Sequence, residues 1–343
     1  MKRWKLGILL LLCLFLTGCS ELLTELMTPY IPTGEGLQIH YLDVGQADCA
    51  LLECDGEYIL IDGGNIGDSS QVVSYLEQAG VQQLKAVVCT HAHEDHVGGL
   101  PGVLAVYPTE AVYAPTRTYA SDCFDDFLYY TDQQGLTVTI PEVGDVIPFG
   151  QSTAEILGPV KSYPETNNTS LVLMVTYGST RFLFTGDMEA DAEADLIDSG
   201  ADLKADVLKA GHHGSDTSSS YRFLYQVSPE HTVISVGADN KYGHPDQQIL
   251  SRLQDAESVI YRTDKLGTVI AHSDGYEIRF RWETDALPLL PSEENREYIG
   301  NRKSKKVHID GCSALPEADN RVSFDTLQEA LDAGYTLCTR CME

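Results

Sequence analysis

Thr90-His91-Ala92-His93-Glu94-Asp95-His96 is the stretch that decides the fold, because it places four side chains able to bind metal within six consecutive residues. The apolar run Lys85–Cys89 precedes it and predicts a buried strand that ends in a loop at the histidines. Imidazole and carboxylate ligands together suit zinc, manganese or iron. We expect one pair of these ligands on each of two ions about 3.5–4 Å apart, as in two-metal hydrolytic sites. A chance surface cluster is the alternative interpretation.

Other apolar runs in the chain also end on polar side chains. Ligands that follow the ends of successive buried strands are typical of a catalytic site built along the edge of a sheet. A further loop histidine lies in Tyr242-Gly243-His244-Pro245. The apolar runs and the groups that follow them are Tyr58–Ile61 with Asp62, Arg181–Phe184 with Asp187, and Ala205–Ala210 with the glycine-flanked pair His212-His213.

The sequence resembles the metallo-β-lactamase superfamily, and within it the nuclease-like domain of the ComEC competence proteins, over roughly Gly36 to Trp282. The His-x-His-x-Asp-His run carries the superfamily resemblance. The subfamily resemblance is carried by His40–Asp48, by Asn168–Leu173, and by the Gly-His-His-Gly-Ser and Tyr-Gly-His-Pro segments. It implies an α/β fold, the αββα four-layer sandwich with two sheets back to back and helices outside. Predicted helices at Ser69–Ala79 and Glu189–Asp198 alternate with strand runs, as that architecture requires.

The resemblance also implies a role for each metal-binding side chain. His91 and His93 would bind the first ion, and Asp187 would bridge the two ions. The second ion would be held by Asp95 and His96 and completed by His212 in preference to His213, which is the alternative ligand or a phosphate contact. Asp62 would orient the histidine loop by hydrogen bonding, a common requirement of metal-bound imidazoles.

The implied reaction is hydrolysis of a phosphodiester. Two divalent ions, zinc or manganese, would activate a hydroxide for attack on phosphorus and neutralise charge on the phosphoryl oxygens. Asp95 and Asp187 would serve this chemistry as catalytic carboxylates. His244 or Lys209 is the candidate to assist the leaving group.

The sequence departs from the superfamily pattern at one ligand. Many members place a third histidine for the first ion between the histidine loop and the bridging aspartate, and no histidine occurs here from Val97 to Gly211. Asn167 and Asn168 occupy that region, and Asn168 is the candidate replacement. An amide oxygen is a harder and weaker ligand than imidazole, so this site should tolerate manganese. This departure counts against β-lactamase, glyoxalase and lactonase activity. The alternative is a polar turn before a strand.

The N-terminal residues predict a bacterial lipoprotein signal. Lys2, Arg3 and Lys5 precede the apolar run Leu6–Leu16, and Leu16-Thr17-Gly18-Cys19 has the form of a lipobox. The apolar run has about eleven residues, whereas a membrane span needs roughly twenty. We therefore expect a signal peptide at residues 1–18, a lipidated Cys19 and a spacer over 19–36 that holds the protein on the outer face of a membrane in the cell envelope. A secretory signal with a coincidental cysteine is the alternative.

The C-terminal residues predict a small metal-stapled domain. A proline-rich linker over 285–297 separates it from the hydrolase domain at 37–284, and the domain itself covers 298–343. It resembles the metal-binding domain of Ada-type DNA repair proteins, with a histidine in place of one cysteine, and residues 320–335 fit a helix. Disulfides or free thiols are the alternative to one structural zinc ion. The predicted ligands are His308, Cys312, Cys338 and Cys341.

Charge bears on the substrate. The chain has a net charge of −28, which opposes binding of a polyanion. A basic run, Arg302 to Lys306, is a candidate grip on DNA, although such runs are usually solvated surface. Three hypotheses follow: a membrane-tethered phosphodiesterase or DNase, a hydrolase of small phosphodiesters or other esters, and a noncatalytic surface protein. No pattern predicts an oligomeric state.

Overall fold

The computed structural model describes residues 36–291, 298–309 and 312–342. The signal peptide, Cys19 and almost all of the spacer predicted from the sequence lie outside them. Strands β1 to β9 are Leu37–Tyr41, Ala50–Cys54, Glu57–Ile61, Ala86–Val88, Val112–Tyr113, Val146–Phe149, Ser152–Gly158, Val172–Tyr177 and Thr180–Phe184. Strands β10 to β18 are Val207–Lys209, His231–Ile234, Val259–Arg262, Val269–Ser273, Ile278–Trp282, Tyr298–Asn301, Lys306–His308, Arg321–Phe324 and Thr336–Leu337.

The helices match the sequence prediction where one was made. Ser69–Ala79 was predicted and Ser69–Gln78 is found, and Glu189–Asp198 was predicted and Ala190–Asp198 is found. Helices α1 to α9 are Ser69–Gln78, Glu94–Val97, Leu100–Val106, Asp122–Gln133, Ala190–Asp198, Tyr221–Val227, Gln247–Asp255, Thr263–Leu266 and Leu327–Asp332. Short 3₁₀ turns occur at Ile66–Asp68, Asn167–Thr169, Gly211–Gly214 and Ala318–Asn320.

Two seven-stranded sheets form the centre of the molecule. The first has the order β14-β13-β1-β2-β3-β4-β5 and the second β12-β11-β10-β9-β8-β7-β6. Buried apolar side chains from both sheets pack in one cluster between them, with Ile39, Leu52, Leu173 and Phe182 among its members. Strands buried on both faces read as continuous apolar runs, as in Ala86–Val88.

Helices cover the outer face of each sheet. Helices α1 to α4 share an apolar cluster with the first sheet, and helices α5 to α7 share one with the second. Each sheet therefore buries one face against its partner sheet and the other against helices. This confirms the predicted α/β architecture, the αββα four-layer sandwich.

Parallel pairing brings the polar groups to one edge. Strands β3 and β4 run parallel, and so do β9, β10 and β11. The carboxyl ends of parallel strands lie at the same edge of a sheet, so the loops after them are neighbours. Asp62, His91, Asp187 and His212 all follow such ends.

The C-terminal residues form a third sheet with the order β17-β15-β16-β18. The prediction of a helix over 320–335 is wrong in its first part, because Arg321–Phe324 pairs antiparallel with Tyr298–Asn301 and only Leu327–Asp332 is helical. Tyr221 of α6 packs in the same apolar cluster as this sheet. Among the helices in the described ranges, none has the length and apolarity to cross a membrane.

Candidate metal centre

Asp62 holds the histidine loop in place. It follows β3, and its backbone φ angle is 60°. Residues other than glycine rarely adopt this conformation, and proteins retain it mainly at functional sites. Its carboxylate accepts hydrogen bonds from the backbone N–H and the hydroxyl of Thr90, both at 2.7 Å, and from Nδ1 of His96 at 2.8 Å. Because Nδ1 of His96 is occupied by this bond, the free lone pair of the neutral ring is at Nε2.

Four potential ligand atoms lie within 4.8 Å of one another beside this loop. We call Asp95, His96, Asp187 and His213 the four-ligand cluster. Nε2 of His96 is 3.2 Å from Oδ1 of Asp187, and Nε2 of His213 is 3.3 Å from Oδ2 of Asp95. His213 donates from Nδ1 to the carbonyl oxygen of Ser235 at 3.1 Å, so its Nε2 is also available as a ligand.

The unpaired atoms of the four-ligand cluster show that a cation fits there. Nε2 of His96, Nε2 of His213 and Oδ1 of Asp187 are buried and accept or donate no hydrogen bond among the described residues. Buried polar atoms are nearly always partnered, and three that converge point to a missing ligand. Burial lowers the pKa of His213, but Asp187, Asp48 and Asp95 outweigh it and raise that pKa to about 10. The carboxylates thus favour positive charge at this position, which a bound cation would supply in place of a proton on His213.

The pair predicted for the first ion lies on the other side of Asp187. Nε2 of His91 is 3.1 Å from Nδ1 of His93 and 3.8 Å from Oδ2 of Asp187. Oδ1 of Asp187 faces the four-ligand cluster, whereas Oδ2 faces His91. Asp187 therefore lies between the two sets of ligands, the position that a bridging carboxylate would occupy.

The structure reverses the order of preference between His212 and His213. His213 is buried within the four-ligand cluster, whereas Nε2 of His212 is 3.7 Å from Oδ2 of Asp187 and its side chain is 25% exposed. Both residues have positive φ angles, 50° and 54°, which reverse the chain direction after β10 and turn the second ring inward. His212 instead has its Nδ1 3.2 Å from the hydroxyl oxygen of Thr217.

Asn168 holds the loop of the bridging carboxylate. Its Oδ1 accepts a hydrogen bond at 2.9 Å from the backbone N–H of Glu189, two residues after Asp187. That bond engages one of the two lone pairs of the oxygen that was expected to bind metal, so the role of Asn168 as a ligand stays a prediction. Asn168 also lies in a 3₁₀ turn just before β8, which agrees with the alternative of a polar turn before a strand.

Lys209 does not reach the open side of the centre, contrary to its prediction as a leaving-group acid. It is 3% exposed, and its Nζ is 2.8 Å from Oδ2 of Asp48 and donates to the carbonyl oxygen of Ala210 at 2.9 Å. Asp48 also places Oδ1 3.2 Å from Nδ1 of His213. The sequence pattern did not distinguish Asp48 from a turn residue, because its partner lies 161 positions away in the other sheet.

His244 remains at the rim of the centre. Its ring stacks on Tyr242 with centroids 5.6 Å apart and meets the ring of His212 edge-on at 5.7 Å. Nε2 of Gln46 lies 3.5 Å from Nδ1 of His244. Asp95 is also partly open, with 29% of its side chain exposed, as is His212 with 25%. A substrate that enters from solvent would meet these three side chains first.

The predicted C-terminal ligands also come together. His308, Cys312, Cys338 and Cys341, which we call the cysteine cluster, place one ligand atom each within 4.8 Å of one another. The sulfur atoms of Cys312 and Cys338 are 3.9 Å apart, and all three thiols are free. That distance exceeds a disulfide bond, about 2.05 Å, and matches the edge of a tetrahedron with zinc–sulfur bonds of about 2.3 Å.

The four-layer fold and the ligand set define a metal-dependent hydrolase. The chain belongs to the metallo-beta-lactamase superfamily, whose family model matches residues 42–238. This family and the predicted likeness to competence proteins are both confirmed, whereas the likeness to the Ada-type domain stays a prediction.

Named relatives include three competence and recombination proteins. ComE operon protein 3 of Bacillus subtilis is 29% identical over 75% of this chain and 36% of its own length. Competence protein ComA of Neisseria gonorrhoeae is 31% identical over 66% of this chain and 31% of that protein. Recombination protein 2 of Haemophilus influenzae is 31% identical over 68% of this chain and 28% of that protein. The chain thus spans about a third of the length of these relatives.

Solved structures include the metallo-beta-lactamase fold protein YhfI from Bacillus subtilis. It aligns with 72% of this chain and all of its own, at 12% identity and a TM-score of 0.48.

Proposed function

We propose that the protein is a two-metal phosphodiesterase whose substrate is DNA. The observation that carries the proposal is the convergence of buried, unpaired ligand atoms on one side of Asp187, with the pair His91 and His93 on its other side. The lack of a histidine between Val97 and Gly211 supports phosphodiester chemistry over activities that depend on a three-histidine first site. The names of the relatives, competence and recombination proteins, support DNA as the substrate.

The residues of the centre have separable tasks in this reaction. His91, His93 and Asp187 would hold one divalent ion, and the four-ligand cluster would hold the other. Two such ions supply an activated water and neutralise charge on the phosphate oxygens. Asp62 fixes the ring of His96, and the Ser235 carbonyl fixes the ring of His213, so neither ligand must reorient when substrate binds.

His244 is the side chain placed to protonate the leaving oxygen. Transfer to a leaving oxygen requires the imidazolium form of His244, which gives up one ring proton and is left as a neutral imidazole. Nε2 of Gln46 lies 3.5 Å from Nδ1 of this ring. Lys209 is excluded from this task by its burial and by its ion pair with Asp48. Proton transfer from a positioned imidazole typically contributes a rate factor of about 10² to 10⁴.

A small phosphodiester or another ester is the second candidate substrate. The observation that favours it is the net charge of −28, which repels a polyanion and has less effect on a ligand with one charge. Short stretches also match hydroxyacylglutathione hydrolases, one at 40% identity over 20% of this chain. A noncatalytic surface protein is the third hypothesis, and the complete ligand set weighs against it.

The remaining predictions from the sequence form part of the proposal. Residues 1–18 would be a signal peptide and Cys19 the lipidated residue that tethers the enzyme outside the cytoplasm. Residues 37–284 would form the hydrolase domain, and 298–343 a domain held by one structural zinc ion. A Cys19→Ala variant should leave the membrane fraction, and its retention there would contradict the lipid anchor.

The decisive experiment measures hydrolysis of single-stranded DNA, double-stranded DNA and bis-p-nitrophenyl phosphate by the full chain with manganese or zinc. An Asp187→Asn variant is the control. DNA cleavage that is lost in this variant supports the proposal. Turnover of the small diester alone favours the second candidate. Equal activity of the variant and the parent would refute the two-metal mechanism.

A further inference from the structure

A cleft of about 310 Å³ lies where the C-terminal residues meet helices α6 and α7. Gln248, Ser251 and Arg252 line it from α7, and Thr339 and Arg340 line it from the turn that carries two of the cysteine ligands. Among the described residues in its lining, none is aspartate or glutamate. We call it the arginine cleft.

The charge of the arginine cleft contrasts with that of the chain. The protein has a net charge of −28, yet this surface presents two guanidinium groups together with amide and hydroxyl donors. Guanidinium groups match phosphate oxygens in pairs of hydrogen bonds. Two carboxylates outside the lining interact with it, because the hydroxyl of Tyr221 donates to Asp255 at 2.5 Å and the charge of Arg252 acts on Glu193. The lining itself has donors and no carboxylate, so the charge that it offers to an anion is chiefly that of Arg340.

The two arginines are held differently. Nη1 of Arg252 donates to the carbonyl oxygens of Asp216 at 3.0 Å and Ser218 at 3.2 Å, which fixes the guanidinium against the loop between β10 and α6. Arg340 is exposed, and its charge acts on the thiol of Cys312 rather than on a carboxylate among the described residues. One guanidinium is therefore preorganised, and the other is available for a ligand.

The basic run predicted from the sequence is a poorer candidate for contact with DNA. It lies at the opposite end of β16 from Ile309, which lines the arginine cleft. Nε of Arg302 donates to the carbonyl oxygen of Arg321, and Nζ of Lys306 donates to that of Leu337. The ammonium of Lys305 lies 4.4 Å from the ring centre of Tyr335. These cations stabilise the third sheet itself.

The arginine cleft is close enough to the metal centre to share a substrate with it. Ser218, whose carbonyl oxygen accepts a hydrogen bond from Arg252, follows His213 by five residues. The Cα atoms of Ser218 and His213 are therefore at most about 18 Å apart, which places the Arg252 end of the cleft near the metal centre. A nucleic-acid strand covers that distance in about five nucleotides at 3.4 Å each. Resting on the proposed function, we propose that the arginine cleft binds the phosphate backbone of a nucleic-acid strand whose scissile bond lies at the metal centre.

The test compares Arg340→Gln with Lys303→Gln, which removes the same charge from the exposed turn before β16. Binding of a fluorescent 12-nucleotide single strand is measured by anisotropy at several salt concentrations, with Asp187→Asn added to every variant to prevent cleavage. Hydrolysis of bis-p-nitrophenyl phosphate is measured with variants that keep Asp187. Zinc content and melting temperature show whether Arg340→Gln disturbs the cysteine cluster.

We expect Arg340→Gln to weaken binding of the 12-mer about tenfold and to lower the slope of log K against log salt by about 0.7, the value for one phosphate contact on a single strand. Arg340→Lys should restore most of the affinity. Hydrolysis of the small diester should be unchanged, because it cannot span the cleft and the metal centre.

Other outcomes overturn one proposal or the other. Equal losses in Arg340→Gln and Lys303→Gln, or no loss in either, would overturn the arginine cleft as a specific site. Weaker binding of the 12-mer by Arg340→Gln that is accompanied by loss of zinc would also overturn the arginine cleft as a specific site. Hydrolysis of the diester with no binding of the 12-mer would overturn the cleft and leave the hydrolase. Binding that depends on Arg340 without any hydrolysis would leave the cleft and overturn the proposed function.

Discussion

His213 and His212 are adjacent in the chain but have different surroundings, which predicts different effects of their removal. His213 contributes a buried, unpaired Nε2 to the four-ligand cluster, whereas His212 is partly exposed. We expect His213→Ala to lose one equivalent of bound metal, and His212→Ala to retain both, as measured by elemental analysis after dialysis. Full metal content in both variants would contradict the assignment of His213 as a ligand.

Asp48 and Lys209 form a buried ion pair beneath the centre, with 8% and 4% of their side chains exposed. Asp48→Asn should lower the free energy of unfolding by about 3–5 kcal/mol, because it leaves the ammonium of Lys209 buried without a counter-charge. Adding Lys209→Met should recover part of that loss. Urea denaturation measures both effects.

A surface pair provides the control for that measurement. Asp202, 76% exposed, pairs with Arg181 at 2.7 Å. Asp202→Asn should cost less than about 1 kcal/mol, since exposed ion pairs contribute little. A loss at Asp48 no larger than the loss at Asp202 would contradict the assignment of a buried, mutually dependent pair.

The site residues that could be predicted from the sequence are those that follow a strand directly. Asp62 and Asp187 come one and three residues after apolar runs, so the end of the strand determines their position. The order of His212 and His213 depended on two positive φ angles, which no residue pattern in that turn indicates for histidine. The pairing of Lys209 with Asp48 could not be predicted either, because the sequence does not indicate which loops of the two sheets meet.

At the scale of elements, Glu193 joins helix α5 to the start of α6. Its carboxylate accepts hydrogen bonds from the backbone N–H groups of Ser219 and Ser220. Burial raises the pKa of Glu193 to about 7, above its ordinary value of 4.5. Between these two values the folded protein retains a proton that the unfolded chain has lost, so stability must fall as pH rises through this range.

This linkage gives a measurable pH dependence. Over the range from 4.5 to 7 the contribution of Glu193 should fall by about 3 kcal/mol, at up to about 1.4 kcal/mol per pH unit. Glu193→Gln should remove this part of the slope, since an amide does not titrate there. Urea denaturation of both proteins at several pH values measures the difference. Parallel stability curves would contradict the buried, protonated carboxyl.

The elements predicted correctly from the sequence are those whose apolar residues recur with one clear spacing. Helices α1 and α5 agree with prediction to within one residue at each end. Residues 321–324 were placed in a helix, but Val322 and Phe324 alternate with polar residues and pair across β15. An alternation over four residues is too short a signal to outweigh the helical pattern of the residues beside it. Pairing with β15 decides that these residues form a strand.

At the scale of the whole molecule, the C-terminal sheet packs against Tyr221, and we expect it to depend on the cysteine cluster. Its apolar cluster is small, and Met342 and Tyr221 are among its buried members. So small a core needs a further constraint such as a bound metal. We expect Cys312→Ser to lose one equivalent of zinc and to expose residues 298–342 to proteolysis, while hydrolysis of a small diester continues.

Cys123→Ser is the matched control for this last prediction, because it removes a buried thiol that packs among apolar side chains of the first sheet. It should keep its zinc and resist proteolysis of the C-terminal residues, whatever it costs the hydrolase core. Mass spectrometry of the fragments locates the cleavage. If Cys312→Ser keeps its full zinc content, or if its C-terminal residues stay as resistant as those of Cys123→Ser, the cysteine cluster does not hold that sheet together. If the diester activity is lost with the zinc, docking at Tyr221 affects the loop before α6 and the metal ligands that precede it.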